Sequence, residues 1–331
     1  MNLNSRIILA FLVVLVNVAP AGGGSTEGDE GLKRHHYAAI RMGVQVRIIA
    51  YAPDTDTAAR ACEAGFKRLA EIEDVASDYR STSELMRLCA QAGGPPVPVS
   101  DELFLLLTRA QDLSARTRGV FDVTAGPYVR LWREARESGQ MPAEEALARA
   151  GERVGWEKVR IDPEARTVQL LVPGMQLDLG GIAKGYGLDE ALKTLREHGI
   201  ASALIEAGGD IVVGDAPPER DGWRIEVANA KPKQRMVMLE NAAISTSGDV
   251  EQYVETGGKR YSHVVDPRTG IGLTSRIAAT VIAPDGITSD SLATAACVLG
   301  KKRGMKLIRS APGAKGYIRR VRMGREPGRE P

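Results

Sequence analysis

A glycine-rich segment, DLGGIAKG at residues 178–185, has the residue types of a phosphate-binding turn. It stands where the hydrophobic pattern changes from that of a strand to that of a helix. Glycines let the backbone approach a phosphate, and the free N–H groups of a helix N-terminus attract its charge. Lys184 would add a positive charge for a pyrophosphate. The spacing matches neither a Walker loop nor the dinucleotide-binding glycine pattern, and an ordinary Gly-Gly turn with an exposed lysine is the alternative.

A second candidate site consists of Asp290 and Thr294, four residues apart near the start of the last apolar helix pattern. Side chains at this spacing share one face of a helix. A carboxylate and a hydroxyl placed in this way suit Mg²⁺, which takes oxygen ligands and keeps waters and substrate phosphate oxygens. The alternative is structural, because an aspartate near a helix N-terminus also complements the helix dipole.

Two further polar segments contain residues able to act on a substrate. His263, one of four histidines, lies in the segment YSHVVDP at residues 261–267, where a predicted strand ends before a turn. Histidine titrates near neutral pH and serves as a general base, although a hydrogen-bonded structural histidine is an equal alternative. The segment STSGD at residues 245–249 offers hydroxyls and a glycine turn to a phosphate or ribose, or is an ordinary polar loop.

A mixture of helices and strands must position these residues. Helical spacing of apolar residues predicts helices at 57–75, 83–90, 101–116 (with Ser100 as N-cap), a short one opened by Pro142, 182–198, 289–299 and 302–309. Strand patterns cover 37–51 (around Met42-Gly43), 159–161, 167–172, the residues from Gln176, 203–206, 211–213, 223–227, 260–265 and 278–283. Strands and helices do not alternate regularly, so an α+β fold is predicted rather than a doubly wound one.

The composition is that of a globular protein, and its overall charge does not favour binding of nucleic acid. The 331 residues are 43% hydrophobic, enough for one large core or two packed lobes, and the formal charge is +2. No internal run of Lys or Arg occurs, so nucleic acid is not expected as a partner. Residues 319–331 are predicted to form a disordered basic tail.

The N-terminal segment predicts export. Residues 1–21 combine Arg6, the apolar stretch 7–18 and the small residues Ala19-Pro20-Ala21, as a cleavable secretory signal does. The apolar stretch is shorter than the roughly 20 residues of a spanning helix, and an uncleaved anchor is the alternative. No lipobox Cys follows, so a periplasmic or cell-envelope location is predicted, with residues 22–36 as a flexible lead.

Three cysteines form no disulfide framework, so at least one thiol must be unpaired. Cys297 lies in an apolar run and is predicted to be a small buried hydrophobe.

Taken together, the motifs resemble those of the ApbE family, the FAD:protein FMN transferases, from about Tyr37 to about Tyr317. The resemblance rests on segments in the family's order: Met42-Gly43, SDY at 77–79 followed by SEL at 83–85, GVFDVT at 119–124, DLGGIAKGYGLD at 178–189, AGGD at 207–210, STSGD at 245–249, YSHVVDPRTG at 261–270 and SDSLATA at 289–295. It implies an α+β domain over residues 37–318, related to the T-fold, with largely antiparallel sheets flanked by helices.

The resemblance also implies roles for individual residues. The positions that contact FAD in similar proteins match Met42, Tyr79, Val120, Phe121, Asp122, Asp178, Lys184, Ser247 and Leu273. Those that hold the metal match the backbone carbonyl of Gly181 and the side chains of Asp290 and Thr294, and the proposed base matches His263. Two positions depart from the family pattern: Val44 stands where Thr is common, and Cys89 where Asn often follows the Ser-Glu motif.

By this resemblance the chain is an Mg²⁺-dependent enzyme that transfers FMN from its substrate FAD to a Ser or Thr hydroxyl of an exported or membrane redox protein, releasing AMP. With water in place of that hydroxyl, the same site would be an FAD pyrophosphatase that gives FMN and AMP. An alternative of another class is a non-catalytic FAD carrier, which would need the binding residues but no base, so that His263 favours the enzyme. A purely structural exported domain is a third alternative.

Overall fold

The computed structural model describes residues 31–227, 230, 235–248, 253–256 and 259–320. Its helices are α1 (Thr55–Ala76), α2 (Glu84–Cys89), α3 (Asp101–Thr117), α4 (Gly126–Ser138), α5 (Glu144–Gly151), α6 (Ala183–Glu197) and α7 (Gly286–Arg309). Its strands are β1 (Lys33–Arg41), β2 (Val44–Ala52), β3 (Val97–Pro98), β4 (Val159–Asp162), β5 (Thr167–Leu170), β6 (Ala203–Ala207), β7 (Asp210–Val213), β8 (Trp223–Glu226), β9 (Met236–Leu239), β10 (Ala242–Gly248), β11 (Tyr253–Thr256), β12 (Lys259–Ser262), β13 (Val265–Asp266), β14 (Ile271–Gly272), β15 (Ile277–Ala283) and β16 (Lys315–Arg320).

A seven-stranded sheet forms the centre of the fold, in the order β1-β2-β6-β7-β10-β15-β16. Every neighbouring pair of its strands is antiparallel. Strands β6 and β7 are buried at each residue, as expected for strands that are covered on both faces. The predicted α+β class, with largely antiparallel sheets flanked by helices, is confirmed.

Successive residues of one strand show what covers each face of this sheet. Ile48 of β2 packs with Phe66 of α1 and Leu188 of α6, so these helices lie on one face. Ile49, whose side chain points to the opposite face, packs with Trp223 of the β8–β9 hairpin. Helices on one face and a small hairpin on the other therefore bury the central strands.

Helix α7 begins with an N-cap and breaks near its middle. The side chain of Asp285 accepts a hydrogen bond from the backbone N–H of Thr288. Gly300 has φ 72° and ψ 177°, which interrupts the helix between the two predicted helices 289–299 and 302–309. No helix among the described residues is long and apolar enough to cross a membrane.

Several segments near the candidate site residues differ from the predictions. Helix α4 lies where no helix is predicted, and Ser245 to Gly248 belong to strand β10 instead of a polar loop. The extended residues from Gln176 form no strand, because Leu177 N–H bonds the thiol of Cys89 and Asp178 N–H bonds the carbonyl of Val123. The predicted strand 260–265 divides into β12 and β13 at His263.

The limits of regular structure also differ from the predicted domain limits. Strand β1 begins at Lys33, inside the predicted flexible lead, because the polar residues of the lead pair with β2 as an edge strand. Strand β16 continues to Arg320 and pairs with β15, which includes the first two residues of the predicted tail. The predicted signal segment 1–21 and residues 321–331 lie outside the described residues.

Candidate active site

The candidate site is built where the N-terminal ends of α6 and α7 touch. A Cβ at Gly185 would lie 2.1 Å from the carbonyl oxygen of Gly286, so glycine is required for this contact. At this contact, Oδ2 of Asp290 accepts a hydrogen bond of 3.0 Å from Gly185 N–H. The carboxylate of α7 therefore points at the start of α6 and not at the N-terminus of its own helix.

The other two predicted metal-binding residues lie next to each other. A Cβ at Gly181 would lie 3.1 Å from Oγ1 of Thr294, so the bare backbone at Gly181 leaves space beside the hydroxyl. Carboxylate, hydroxyl and carbonyl oxygens are ligands that Mg²⁺ accepts. No group of three or more His, Cys, Asp or Glu suited to a metal occurs in the described ranges, so an ion here would also need waters or phosphate oxygens. This donor set fits Mg²⁺.

Charges around Asp290 favour a cation. Burial, and after it the neighbouring Asp210 carboxylate, raise the pKa of Asp290 to about 7, while Lys184 and the Gly185 N–H act in the opposite direction. Lys184 forms an ion pair with Asp210, which is buried at the start of β7. A divalent cation beside these carboxylates would stabilise their charged forms.

The first N–H groups of α6 are already bonded, which corrects one part of the predicted phosphate-binding turn. Gly180 N–H bonds Oδ1 of Asp178, and the N–H groups of Ile182 and Ala183 bond the carbonyl of Leu179. Gly185 N–H bonds Asp290. These four groups are not available to a phosphate in this arrangement, so the positive charge for a pyrophosphate would come from Lys184 and a bound cation.

An arginine of α4 connects two of the predicted FAD-contacting residues. The Arg133 guanidinium bonds the carboxylate of Asp178 at 3.1 Å and also bonds that of Asp78. The guanidinium lies 4.1 Å from the centre of the Tyr79 ring. Tyr79 is 74% exposed. Burial raises the pKa of Asp178, the Asp78 carboxylate adds to this, and Arg133 offsets part of it. The exposed ring and the ion-paired carboxylates form one surface.

The 119–124 segment, which contains three predicted FAD-contacting residues, is bonded to Asp178 through Val123. Val120 and Phe121 are 2% and 4% exposed, so their side chains pack in the core. Asp122 accepts hydrogen bonds from the backbone and hydroxyl of Thr124. The carbonyl of Val123 accepts the N–H of Asp178 at 2.8 Å, which joins the two segments.

Met42 and Ser247 approach α6 and α7 from the sheet. The sulfur of Met42 lies 3.0 Å from where a Cβ at Gly187 would stand, on the helix that begins the site. Ser247 shares a face of β10 with Ser245, because residues two apart in a strand point the same way. The Ser245 hydroxyl bonds that of Ser289, the residue before Asp290, at 2.8 Å. Met42, in the turn between β1 and β2, therefore lies beside α6, and Ser247 lies on β10, which packs against α7.

His263 lies at the break between β12 and β13. The break forms because the Ser262 hydroxyl accepts the N–H of Val264 at 3.0 Å, in place of a strand partner. Leu273, another predicted FAD contact, donates its N–H to the carbonyl of Val264 and packs partly buried against the main core. His263 is half-buried and has a contact with the rest of the protein.

Helix α4 holds this β12–β14 region in place. The indole N–H of Trp132 donates a 2.7 Å hydrogen bond to the carbonyl of Gly270, and its ring packs on Tyr261. The next residue of the helix is Arg133, which bonds Asp178. One helix therefore ties the segment that carries the predicted base to the segment that carries the predicted FAD contacts.

The departure at Cys89 keeps a hydrogen-bond acceptor. The buried thiol of Cys89 accepts the N–H of Leu177 at 3.3 Å, next to Asp178. Burial raises the pKa of this thiol to about 11, so it stays neutral. Cys62 and Cys297 are buried thiols as well, which confirms the prediction for Cys297.

The contact of α6 with α7 predicts a large loss of stability for Gly185→Ala. The added methyl would meet the backbone of Gly286 and the Cβ of Asp290, neither of which yields easily. We expect a loss of about 2–3 kcal/mol in the free energy of unfolding, measured by denaturant titration.

Gly187→Ala in the same helix is the matched control. Its methyl would lie 3.0 Å from Met42 Sδ and 3.2 Å from Leu69 Cδ2, which are ends of flexible side chains. It should cost much less stability than Gly185→Ala. Equal losses would show that the helix contact at Gly185 is not as restrictive as its geometry indicates.

Arg133→Gln should weaken FAD binding and leave Mg²⁺ binding intact. The change removes the charge between Asp78 and Asp178 and the cation over Tyr79. We expect FAD affinity to fall roughly ten-fold, corresponding to about 1.4 kcal/mol, in a flavin fluorescence titration. Arg130→Gln, an exposed residue of the same helix that pairs with Glu134, is the control and should bind FAD normally. Equal FAD affinity in wild type and Arg133→Gln would place FAD elsewhere.

Two residues with clear positions in the site are absent from the predicted set. Arg133 lies on the unpredicted helix α4, although Pro127 at its start and apolar residues at 128, 131, 132 and 135 give helical spacing. Asp210 stands in the quoted AGGD segment, and its pairing with Lys184 joins residues far apart in the sequence. In the sequence, the helical spacing at 127–135 points to the helix that carries Arg133, and the AGGD segment contains Asp210.

Comparison of the sequence with known proteins identifies a family and named relatives. A sequence model of the ApbE family matches residues 42–318. The FAD:protein FMN transferase of Treponema pallidum is 32% identical over 312 residues, which cover 88% of this chain and 86% of that protein. The FAD:protein FMN transferase of Vibrio cholerae is 37% identical over 246 residues, which cover 72% of each.

Solved structures show the same fold. The apo form of the flavinyl transferase ApbE of Pseudomonas stutzeri superposes with a TM-score of 0.77 at 29% identity, covering 89% of this chain and 93% of that one. The flavin transferase ApbE of Vibrio cholerae gives 0.73 at 30% identity, covering 87% and 97%. Sequence and fold thus agree over most of the chain, the predicted family and transferase class are confirmed, and the protein belongs to the ApbE family.

Proposed function

We propose that this chain is an Mg²⁺-dependent FAD:protein FMN transferase that moves FMN from FAD to a Ser or Thr hydroxyl of an exported redox protein and releases AMP. The names of its relatives support the use of FAD and the transfer of FMN to protein. The observation that carries the proposal is the meeting of Gly181, Asp290 and Thr294 at the α6–α7 contact, beside Lys184.

In the proposed reaction, the acceptor hydroxyl oxygen attacks the phosphorus on the FMN side of the FAD pyrophosphate. A new phosphorus–oxygen bond joins FMN to the acceptor, the bond to the bridging oxygen breaks, and AMP leaves with that oxygen. His263 would accept the proton of the attacking hydroxyl. Every atom of FAD then ends either in the FMN ester or in AMP.

The residues of the chain hold the substrate for this attack. Lys184 would place its charge on the pyrophosphate, and the ion-paired surface of Arg133, Asp178 and Tyr79 would bind the flavin end. When bound by Asp290, Thr294 and the Gly181 carbonyl, Mg²⁺ would neutralise negative charge on the phosphates. The buried position of Asp290 keeps water from competing for its carboxylate.

Export is part of the proposal. Residues 1–21 have the features of a secretory signal, which would bring the enzyme to acceptors in the periplasm or cell envelope. N-terminal sequencing of the protein from fractionated cells tests this, and a mature chain that still starts at Met1 in the cytosolic fraction would contradict it.

Incubation with FAD, Mg²⁺ and candidate exported redox proteins, followed by intact-mass measurement, tests the activity. The proposal predicts that one acceptor gains the mass of FMN less one water, with release of AMP. Release of FMN and AMP without a mass gain for any acceptor would indicate an FAD pyrophosphatase. Bound FAD without turnover would indicate a carrier.

A further inference from the structure

Asp189 links α6 directly to the first turn of α7. Its Oδ1 accepts the N–H of Gly286 at 2.6 Å, and its Oδ2 accepts the N–H of Ile287 at 2.9 Å. Both N–H groups belong to the first turn of α7, where a helix has no internal partners for them. The proposed mechanism does not use this carboxylate.

The link stands next to the glycine contact of the same two helices. Asp189 follows Gly185 by four residues, so both lie on the face of α6 that meets α7. A Cβ at Gly286 would lie 2.4 Å from the Gly185 carbonyl oxygen and 3.0 Å from Oδ1 of Asp189. A backbone contact and a two-oxygen link therefore fix the start of α7 on α6.

Helix α7 already has its own N-cap, so capping alone does not account for Asp189. Asp285 accepts the N–H of Thr288 at 2.9 Å through its side chain, and its carbonyl accepts the N–H of Ser289. Asp285 acts within α7, whereas Asp189 acts between α6 and α7. Only the second residue can set the distance between the helices.

That distance determines the geometry of the metal-binding residues. Gly181 precedes α6, while Asp290 and Thr294 lie on the first turns of α7. Asp290 is four residues beyond Gly286, the point that Asp189 holds. A shift of α7 along or away from α6 would move both side chains relative to the Gly181 backbone.

We propose that Asp189 is a positioning residue for the metal site, because its carboxylate fixes the first turn of α7 on α6 and thereby sets the spacing of Gly181, Asp290 and Thr294. This role rests on the proposed function, since it assumes that these three residues bind Mg²⁺. Residues that orient metal ligands typically affect metal affinity by 10- to 100-fold.

The surroundings of Asp189 disfavour its charged form, and a functional role accounts for a carboxylate at this position. Burial raises the pKa of Asp189 to about 7, although both of its oxygens accept backbone N–H groups. The carboxylates of Asp285 and Glu190 raise the pKa as well. An acid kept in such surroundings is more often found near a functional site than elsewhere.

The test measures binding of Mn²⁺, used as a substitute for Mg²⁺, by electron paramagnetic resonance of the free ion. Wild type, Asp189→Ala, Asp189→Asn and the matched control Asp285→Ala are compared. Asp189→Ala should bind Mn²⁺ roughly ten-fold more weakly. Asp189→Asn, whose amide oxygen can still accept one N–H, should fall between Asp189→Ala and wild type. Asp285→Ala should bind as wild type does, although loss of its N-cap hydrogen bond should lower its melting temperature.

A kinetic measurement separates positioning from general loss of structure. With Asp189→Ala, the Mg²⁺ concentration for half-maximal FAD turnover should rise by a similar factor, while the rate at saturating Mg²⁺ stays within a few-fold of wild type. Unchanged Mn²⁺ affinity in Asp189→Ala, or an equal loss in Asp285→Ala, would overturn the positioning role. If wild type itself binds no Mn²⁺, the proposed metal site is wrong, and the positioning role of Asp189 is wrong with it. If Asp189→Ala does not fold, Asp189→Asn decides, and wild-type Mn²⁺ affinity in it would overturn the role.

Discussion

Asp290→Ala is expected to reduce FMN transfer by at least about 10³-fold at any Mg²⁺ concentration. The carboxylate is buried at the α6–α7 contact and is the strongest ligand among the predicted metal-binding residues. Its loss removes the charge that would hold the ion against the pyrophosphate. Product formation with wild type and variant, followed over a Mg²⁺ titration, measures the effect.

The same variant should not destabilise the metal-free fold, and this distinguishes a ligand from a structural residue. Burial and the Asp210 carboxylate raise the pKa of Asp290 to about 7. An acid with a raised folded-state pKa lowers stability at pH values above its unfolded value of about 4. At pH 8 without Mg²⁺, Asp290→Ala should therefore melt at or above the wild-type temperature.

Ser291→Ala is the neighbouring control. Its buried hydroxyl donates its hydrogen bond to the carbonyl of Ile287 within α7. This variant should transfer FMN at nearly the wild-type rate. Full Mg²⁺-dependent activity in Asp290→Ala, or equal loss in both variants, would remove Asp290 from the metal site.

His263→Ala should separate binding from turnover. As the proposed base, the imidazole acts on the attacking hydroxyl and not on FAD or the metal, so FAD and Mg²⁺ affinities should stay close to those of wild type. Loss of a general base typically lowers the rate by about 10²–10⁴-fold. Flavin fluorescence titration and single-turnover transfer measure the two properties, and a higher pH should restore part of the rate.

His198→Ala is the matched histidine control, since His198 is exposed at the end of α6 and bonds only a carbonyl of the same helix among its described contacts. It should leave both binding and rate unchanged. Transfer at the wild-type rate by His263→Ala would eliminate the base role. Loss of FAD binding in that variant would make His263 a substrate ligand or a structural residue.

The sequence contains the pattern that places the metal-binding pair. Asp290 and Thr294 are four residues apart in an apolar helix pattern, and the helix at Gly286–Arg309 contains both. The sequence also predicts the break of that helix at Gly300, because glycine interrupts the apolar repeat there. These features depend on local spacing, which a single sequence shows directly.

Other features depend on contacts between distant segments. Residues Ser245 to Gly248 have the composition of a turn, yet they belong to β10 because the neighbouring strand β15 pairs with all four of them. The partners of Lys184 and Asp178, which are Asp210 and Arg133, also come from other elements. Ion pairs of this kind leave no periodic signal in the sequence.

The most direct test of the proposed transfer is the intact mass of an exported acceptor protein after incubation with FAD and this enzyme, with and without Mg²⁺. With wild type and Mg²⁺, we expect the acceptor to gain one FMN less one water, matched by the release of one AMP. Chelation of Mg²⁺, or the Asp290→Ala change, should abolish the gain. A mass gain that persists without divalent metal, or in Asp290→Ala, would contradict the site described for this protein.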